Sequence, residues 1–139
     1  MMQGNKYLDD LGLKITEYGT NFISDDDERS GDWQKQREIY GFDSRECWNM
    51  DTKLIEWLYS HLMMYLEDAS EIVDLTYYKF EHNGKTYTQK DAIGYILERL
   101  KKYLVMDNLD VSFEEEKKCL DEVQDSFVLL SKILFTLWW

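Results

Sequence analysis

The sequence predicts a mainly α domain of the α+β class: a small helical bundle around a long central helix, with a two-stranded β-hairpin near residues 76–88. Three observations predict it. From Asp43 to Val73 the apolar residues fall at Cys47, Met50, Leu54, Trp57/Leu58, Leu62, Tyr65/Leu66, Ala69 and Ile72/Val73, with the gaps of three and four that one face of an α-helix requires. Asn83-Gly84 separates two stretches that alternate apolar with polar residues, and this pair favours a two-residue type I′ turn because both positions need positive φ. Two more runs of helical period follow, Thr88 to Leu104 and Ser112 to Leu137. At 139 residues and 44% hydrophobic content, residues 1–139 read as a single domain able to bury roughly two-thirds of its unfolded surface.

Taken in order, residues 1–39 form a less defined, acidic N-terminal segment. Tyr7, Leu8 and Leu11 suit a short helix, and Leu13 and Ile15 alternate with Lys14 and Thr16 as an extended piece would. Ser24 before Asp25, Asp26, Asp27 and Glu28 has the makings of a helix start, a capping hydroxyl followed by carboxylates at the positive end of the dipole. A solvated loop is the other reading of this run. Gly31 delays the helix toward Asp32, and Gly41 ends it.

Asp43 with Glu46 forms a capping-box pattern opening the central helix, and Phe42 before it suits a hydrophobic staple. A second row at Trp48, Ile55, Tyr59, Leu62 and Leu66 widens the apolar face. In the hairpin, Tyr78 and Phe80 alternate with Lys79 and Glu81, and His82 beside the turn is expected to face water. Thr88 caps the next helix, with Ala92/Ile93, Ile96, Leu100 and Tyr103/Leu104 inward. Ser112 with Glu115 caps the last, whose stripe reads Phe113, Leu120, Val123, Phe127, Leu130, Leu134 and Leu137.

The net charge of −12, from 28 acidic and 16 basic side chains, repels nucleic acid and anionic lipid and attracts a basic partner. No direct nucleic-acid binding and no membrane contact are therefore expected. Residues 76–106 hold six basic and three acidic side chains, a mildly basic unit in an acidic chain. Cys47 and Cys119 are far apart and form no CxxC pair, so they read as buried, reduced thiols of a cytoplasmic protein. MMQGNKYLDDLG lacks a basic start followed by an apolar core, so no secretory signal is expected. The apolar run Phe127 to Trp139 is too short to span a bilayer.

His61 and His82 stand alone in their segments, without the clustered ligands a metal needs, and His61 reads as a core-edge histidine. No phosphate loop or nucleophile elbow occurs, and no cofactor is implied. Two carboxylate pairs, Asp68 with Glu71 and Glu122 with Asp125, have a spacing that suits Mg²⁺ if their helices face each other. These pairs resemble the ExxE and ExxD helices of MazG-like nucleotide pyrophosphatases, which implies a Mg²⁺-dependent all-α nucleotide hydrolase. The sequence departs from that pattern in placing a hairpin between the pairs and an Asp at the first position. Acidic display is the other candidate chemistry. Asp107, Asp110, Glu114, Glu115, Glu116, Asp121, Glu122 and Asp125 gather around one helix start, interrupted by Lys117 and Lys118, and Asp25, Asp26, Asp27 and Glu28 form a second group. Carboxylates one turn apart, about 5.4 Å, approximate a row of phosphates and compete for a basic groove.

The stretch YGFDSRECWNMDTKLIEWLYSHLMMYLEDA, the segment YYKFEHNGKTYTQKDAIGYILERL and the terminal Trp138-Trp139 resemble a group of small acidic proteins, without an assigned activity, of phages and integrated elements of Firmicutes. That group favours a GFDxRExWNxD start, a WLYxxL helix and a KFxxxGKxYTQ ribbon. The likeness covers about Tyr40 to Leu104 and the last two residues. It implies a phage-type setting, in which inhibitors of host defence, anti-CRISPR proteins among them, are frequent. The resulting expectation is a non-enzymatic acidic interaction protein in the host cytoplasm, inhibiting a basic nucleic-acid-binding protein such as a CRISPR nuclease as a DNA mimic. A structural module dimerising through Trp138, Trp139 and the apolar last helix is the alternative, beside the hydrolase.

Overall fold

The computed structural model describes residues 4–13, 28–106 and 108–138. The expected extended piece at 13–16 lies almost wholly, and the Ser24 cap with Asp25, Asp26 and Asp27 wholly, outside the described residues. So do Asp107 and Trp139. Five α-helices and one two-stranded antiparallel ribbon are described, which is the mainly α class the sequence predicts. The chain divides into two compact units, 1–57 and 58–139.

In the first unit, Asn5 caps α1 (Lys6–Asp9) by accepting from the amides of Tyr7 and Leu8, and Leu8 is fully buried. Helix α2 (Ser30–Tyr40) stops at Gly41, which takes φ 83° and donates its N–H to the Arg37 carbonyl. A left-handed residue after the last turn is what glycine permits at little cost. The expected helix over 43–73 is broken at its start. Ser44–Cys47 winds into a 3-10 turn, because Asp43 Oδ1 accepts from the Arg45 amide at 3.0 Å and closes the chain tightly. Trp48 is then extended and Asn49 left-handed, at φ 51°. Helix α3 begins only at Met50 and ends at Ala69.

A charged pair is buried in this unit alongside Leu8, Trp33 and Ile55. Asp43 and Arg45, 1% and 2% exposed, pair through Nη2–Oδ2 at 2.9 Å and Nε–Oδ1 at 3.1 Å. Burial works to raise the Asp43 carboxyl, and the bonds from Arg45 overcome it and hold it below the ordinary value. The Arg45 guanidinium lies 4.3 Å over the Trp33 ring, and Trp33 meets Trp48 edge-on at 6.1 Å. Three expectations fail here. Cys47 is exposed, Phe42 is 48% exposed and no staple, and Met50, Leu54 and Trp57 of the supposed covered face stay more than half exposed.

In the second unit, Leu58, Tyr59, Leu62 and Ala69 of α3 are buried, while His61, expected at the core edge, is exposed. Strands β1 (Lys79–His82) and β2 (Lys85–Thr88) pair with Phe80 opposite Tyr87 and His82 opposite Lys85. Asn83 and Gly84 take φ 50° and 77°, as a type I′ turn demands. Thr88 Oγ1 accepts the Asp91 amide at 3.0 Å to open α4 (Gln89–Met106). Its inward stripe, Ala92, Ile93, Ile96, Leu100 and Leu104, is as expected.

Ser112 accepts from the Glu115 amide and caps α5 (Phe113–Ile133). The α5 stripe is rotated from expectation. Val123, Ser126, Leu129 and Ile133 face inward, whereas Phe113 is 80% exposed and Leu120 and Leu134 are also out. Ser126 misled the apolar pattern: its hydroxyl donates to the Glu122 carbonyl at 3.0 Å, so a polar residue sits buried yet satisfied. After α5, a 3-10 turn at Leu134–Thr136 is tied down by its carbonyl. Gln89 Nε2 donates to Thr136 O at 3.0 Å and to the Tyr65 hydroxyl at 3.2 Å.

Candidate functional site

Two places in the second unit gather chemistry-bearing side chains, both on the paired helices α4 and α5. These run antiparallel, with Tyr95 reaching Asp125 and, further along α4, Lys102 reaching Glu122. The first place lies where the ribbon leans on both helices. His82 is not exposed, as expected beside a turn, but 3% exposed. Side chains alternate along a strand, and so His82 shares the inward face with Phe80.

Asp125 accepts from three elements there. Tyr95 Oη of α4 approaches Oδ2 at 2.5 Å, Asn83 Nδ2 of the turn approaches Oδ1 at 3.1 Å, and His82 Nε2 of β1 lies 3.1 Å from Oδ2. Lys132 of α5 completes the chain, its Nζ bonding the Glu81 carbonyl at 2.8 Å and facing His82 Nδ1 at 3.2 Å. An ammonium only donates, so Nδ1 accepts, and the network assigns the ring proton to Nε2, which donates to Asp125. Tyr87 and Tyr95 flank the imidazole edge-on at 6.3 and 6.0 Å. The Arg99 guanidinium stacks 3.3 Å from the Tyr95 ring centre.

Partial burial works to raise the Asp125 carboxyl, and the three hydrogen bonds overcome it and bring it to about 2. Burial first, then the bond to Asp125, pushes the Tyr95 phenol up to about 12. A general acid or base works best with a pKa near the operating pH. Asp125 and Tyr95 are instead a fixed acceptor and a fixed donor, which makes the cluster a fastener of the ribbon. Sequence reasoning missed this group because His82, Asn83 and Tyr95 lie 43, 42 and 30 residues from Asp125, on separate elements with no shared period. Only the strand alternation pointed at His82.

The second place is the far end of the helix pair. Glu114, Glu115, Glu116 and Asp121 are exposed and Glu122 is half-buried. Among the described residues none of the first four makes an ion pair, while Glu122 Oε2 lies 3.7 Å from Lys102 Nζ. Glu28 of the other acidic group is exposed. The one-turn ladder does not form. Consecutive Glu114, Glu115 and Glu116 point about 100° apart, and Glu114 shares a face with Asp121, seven residues and about 10 Å along the axis. Asp125, which would have filled a one-turn step after Asp121, is committed to the ribbon.

Between the end of α4 and the start of α5 lies a groove of about 220 Å³, lined by Val105, Met106, Leu109, Val111 and Cys119 and by the charged side chains of Glu115, Glu122, Lys102 and Lys118. Burial, with the nearby Glu122 charge, raises the Cys119 thiol above its ordinary value. Asp68, in the last turn of α3, and Glu71, in the turn after it, are exposed. Among the described residues no three Asp, Glu, His or Cys side chains converge as metal ligands, so the condition set for the alternative Mg²⁺ quartet with Glu122 and Asp125 is not met. Trp138 is 65% and Phe135 87% exposed. No described helix is long and apolar enough to cross a membrane. Comparison of the chain with family models, curated proteins and solved structures finds no match.

Proposed function

We propose that this protein is a non-enzymatic acidic interaction protein that binds and inhibits a basic, nucleic-acid-binding protein. One observation carries the reading. In a chain of net charge −12, Glu114, Glu115, Glu116 and Asp121 stand exposed over the first three turns of α5 with no ion pair among the described residues. Carboxylates left unneutralised attract a basic surface and steer its approach. The phage-type resemblance makes a CRISPR nuclease effector the partner to test first. The spread of the carboxylates around α5 favours docking by charge and shape over mimicry of a regular phosphate row.

The test is DNA cleavage by an RNA-guided nuclease titrated with the full chain at rising salt. Inhibition is expected to weaken steeply with salt, because exposed charges are screened beyond about 8 to 10 Å at physiological strength. Reversing Glu114, Glu115 and Glu116 to lysine is expected to raise the inhibitory concentration at least tenfold. Undiminished inhibition by that variant, or none by the native chain, refutes the nuclease reading. The exposure of Phe135 and Trp138 favours self-association as a second reading. Light scattering of the intact chain against a Phe135→Ser, Trp138→Ser variant decides it, and equal mass removes it.

A further inference from the structure

The groove between α4 and α5 deepens the proposed reading, and rests on it, because it opens at the acidic start of α5, with Glu115 and Glu122 in its lining beside Lys102 and Lys118. Its volume, about 220 Å³, falls below the roughly 300–1,000 Å³ of pockets that enclose a drug-sized ligand. A single side chain is the occupant of matching scale. The apolar lining of Val105, Met106 and Val111 calls for an apolar one. The rim sets what flanks it. Residues 108–122 hold six carboxylates, Asp110, Glu114, Glu115, Glu116, Asp121 and Glu122, against Lys117 and Lys118, and Lys102 already answers Glu122.

We infer that the groove receives one leucine- or methionine-sized side chain from a partner segment whose neighbouring positions are arginine or lysine. The apolar anchor supplies affinity by leaving water, and the flanking cations meet the exposed carboxylates of α5. A buried apolar anchor inside a polar rim is the usual anatomy of a tight contact. The partner surface is thus an amphipathic basic segment, not a uniformly charged one.

The experiment uses the full chain and three fluorescein-labelled peptides of equal length: lysine- and arginine-rich with a central leucine, the same with alanine at that position, and a serine-substituted neutral version keeping the leucine. Anisotropy is expected to show the basic leucine peptide binding at least tenfold tighter than either other. Val111→Phe, which fills the groove, is expected to abolish the advantage of leucine over alanine while leaving the weaker basic binding. Equal affinity for the two basic peptides overturns the groove assignment and leaves the acidic-surface reading standing. Equal affinity for the neutral and basic leucine peptides overturns the paired requirement. Binding of none of them overturns both readings. The peptide arms need only the native chain, so they decide the matter even if Val111→Phe fails to fold.

Discussion

Replacing Asp125 with alanine removes one acceptor from three donors on three elements, and its cost follows from the geometry. Hydrogen bonds to a charged group contribute about 1.5–3 kcal/mol each, and those sharing a partner do not add. The His82 side chain is 2% exposed, so its Nε2–H would lose its protein acceptor in a largely buried setting, a loss of about 1–3 kcal/mol by itself. A total near 3 kcal/mol is expected, which at this chain length lowers the melting temperature by about 10 °C. The assay is thermal and urea unfolding by circular dichroism, with Asp121→Ala as the exposed, unpaired control expected to stay within about 0.5 kcal/mol. A cycle with Tyr95→Phe should return a coupling of about 1–2 kcal/mol for the 2.5 Å contact.

The pH dependence has a definite sign. Asp125 is held at about 2 against an ordinary 3.8, so its folded pKa is depressed. The stabilisation, on the order of 2 kcal/mol, is complete above pH 4 and lost as pH falls from about 4 to about 2. The native chain and Asp125→Ala should therefore converge in stability over that window. A loss under about 1 kcal/mol at pH 7, or a gap that persists unchanged at pH 2, refutes the fastener.

Two further outcomes are expected. Cys47, exposed, should react with a maleimide at pH 7 at least several times faster than Cys119, whose thiol is half-buried and shifted upward; mass spectrometry of timed digests reads it, and equal rates contradict the burial assignment. Gly84→Ala should cost about 1 kcal/mol, because φ 77° strains any residue with a Cβ although nothing lies within 4 Å. Gly94→Ala, in the α4 interior with equally open space, should instead gain a few tenths to 1 kcal/mol; urea midpoints of the two variants moving in the same direction would contradict this.

Local signals in the sequence were legible where one residue settles the backbone. Gly41, Asn83-Gly84, Thr88 and Ser112 each mark a boundary that the structure keeps, since caps and left-handed positions depend on their own neighbourhood. The long helix was misread at its start because the apolar period continues through Cys47 and Trp48 while Asp43 diverts the backbone into a tighter turn. Helical period cannot register a side chain that competes with the backbone for an amide. The α5 stripe failed for a similar reason, a serine made neutral to burial by its own helix. The Asp125 cluster was invisible because hydrogen bonds between elements leave no periodic trace. The acidic group at Glu114–Glu116 was visible from composition, but its lack of a one-turn ladder needed the helix register.

The ribbon's attachment has a consequence for how this protein can drift over generations. Positions 82, 83, 95 and 125 share a single carboxylate, so each constrains what the others tolerate. In any lineage that descends from the same ancestor, the four identities should be inherited or abandoned together. A descendant with an apolar residue at 125 should also show histidine and tyrosine replaced at 82 and 95.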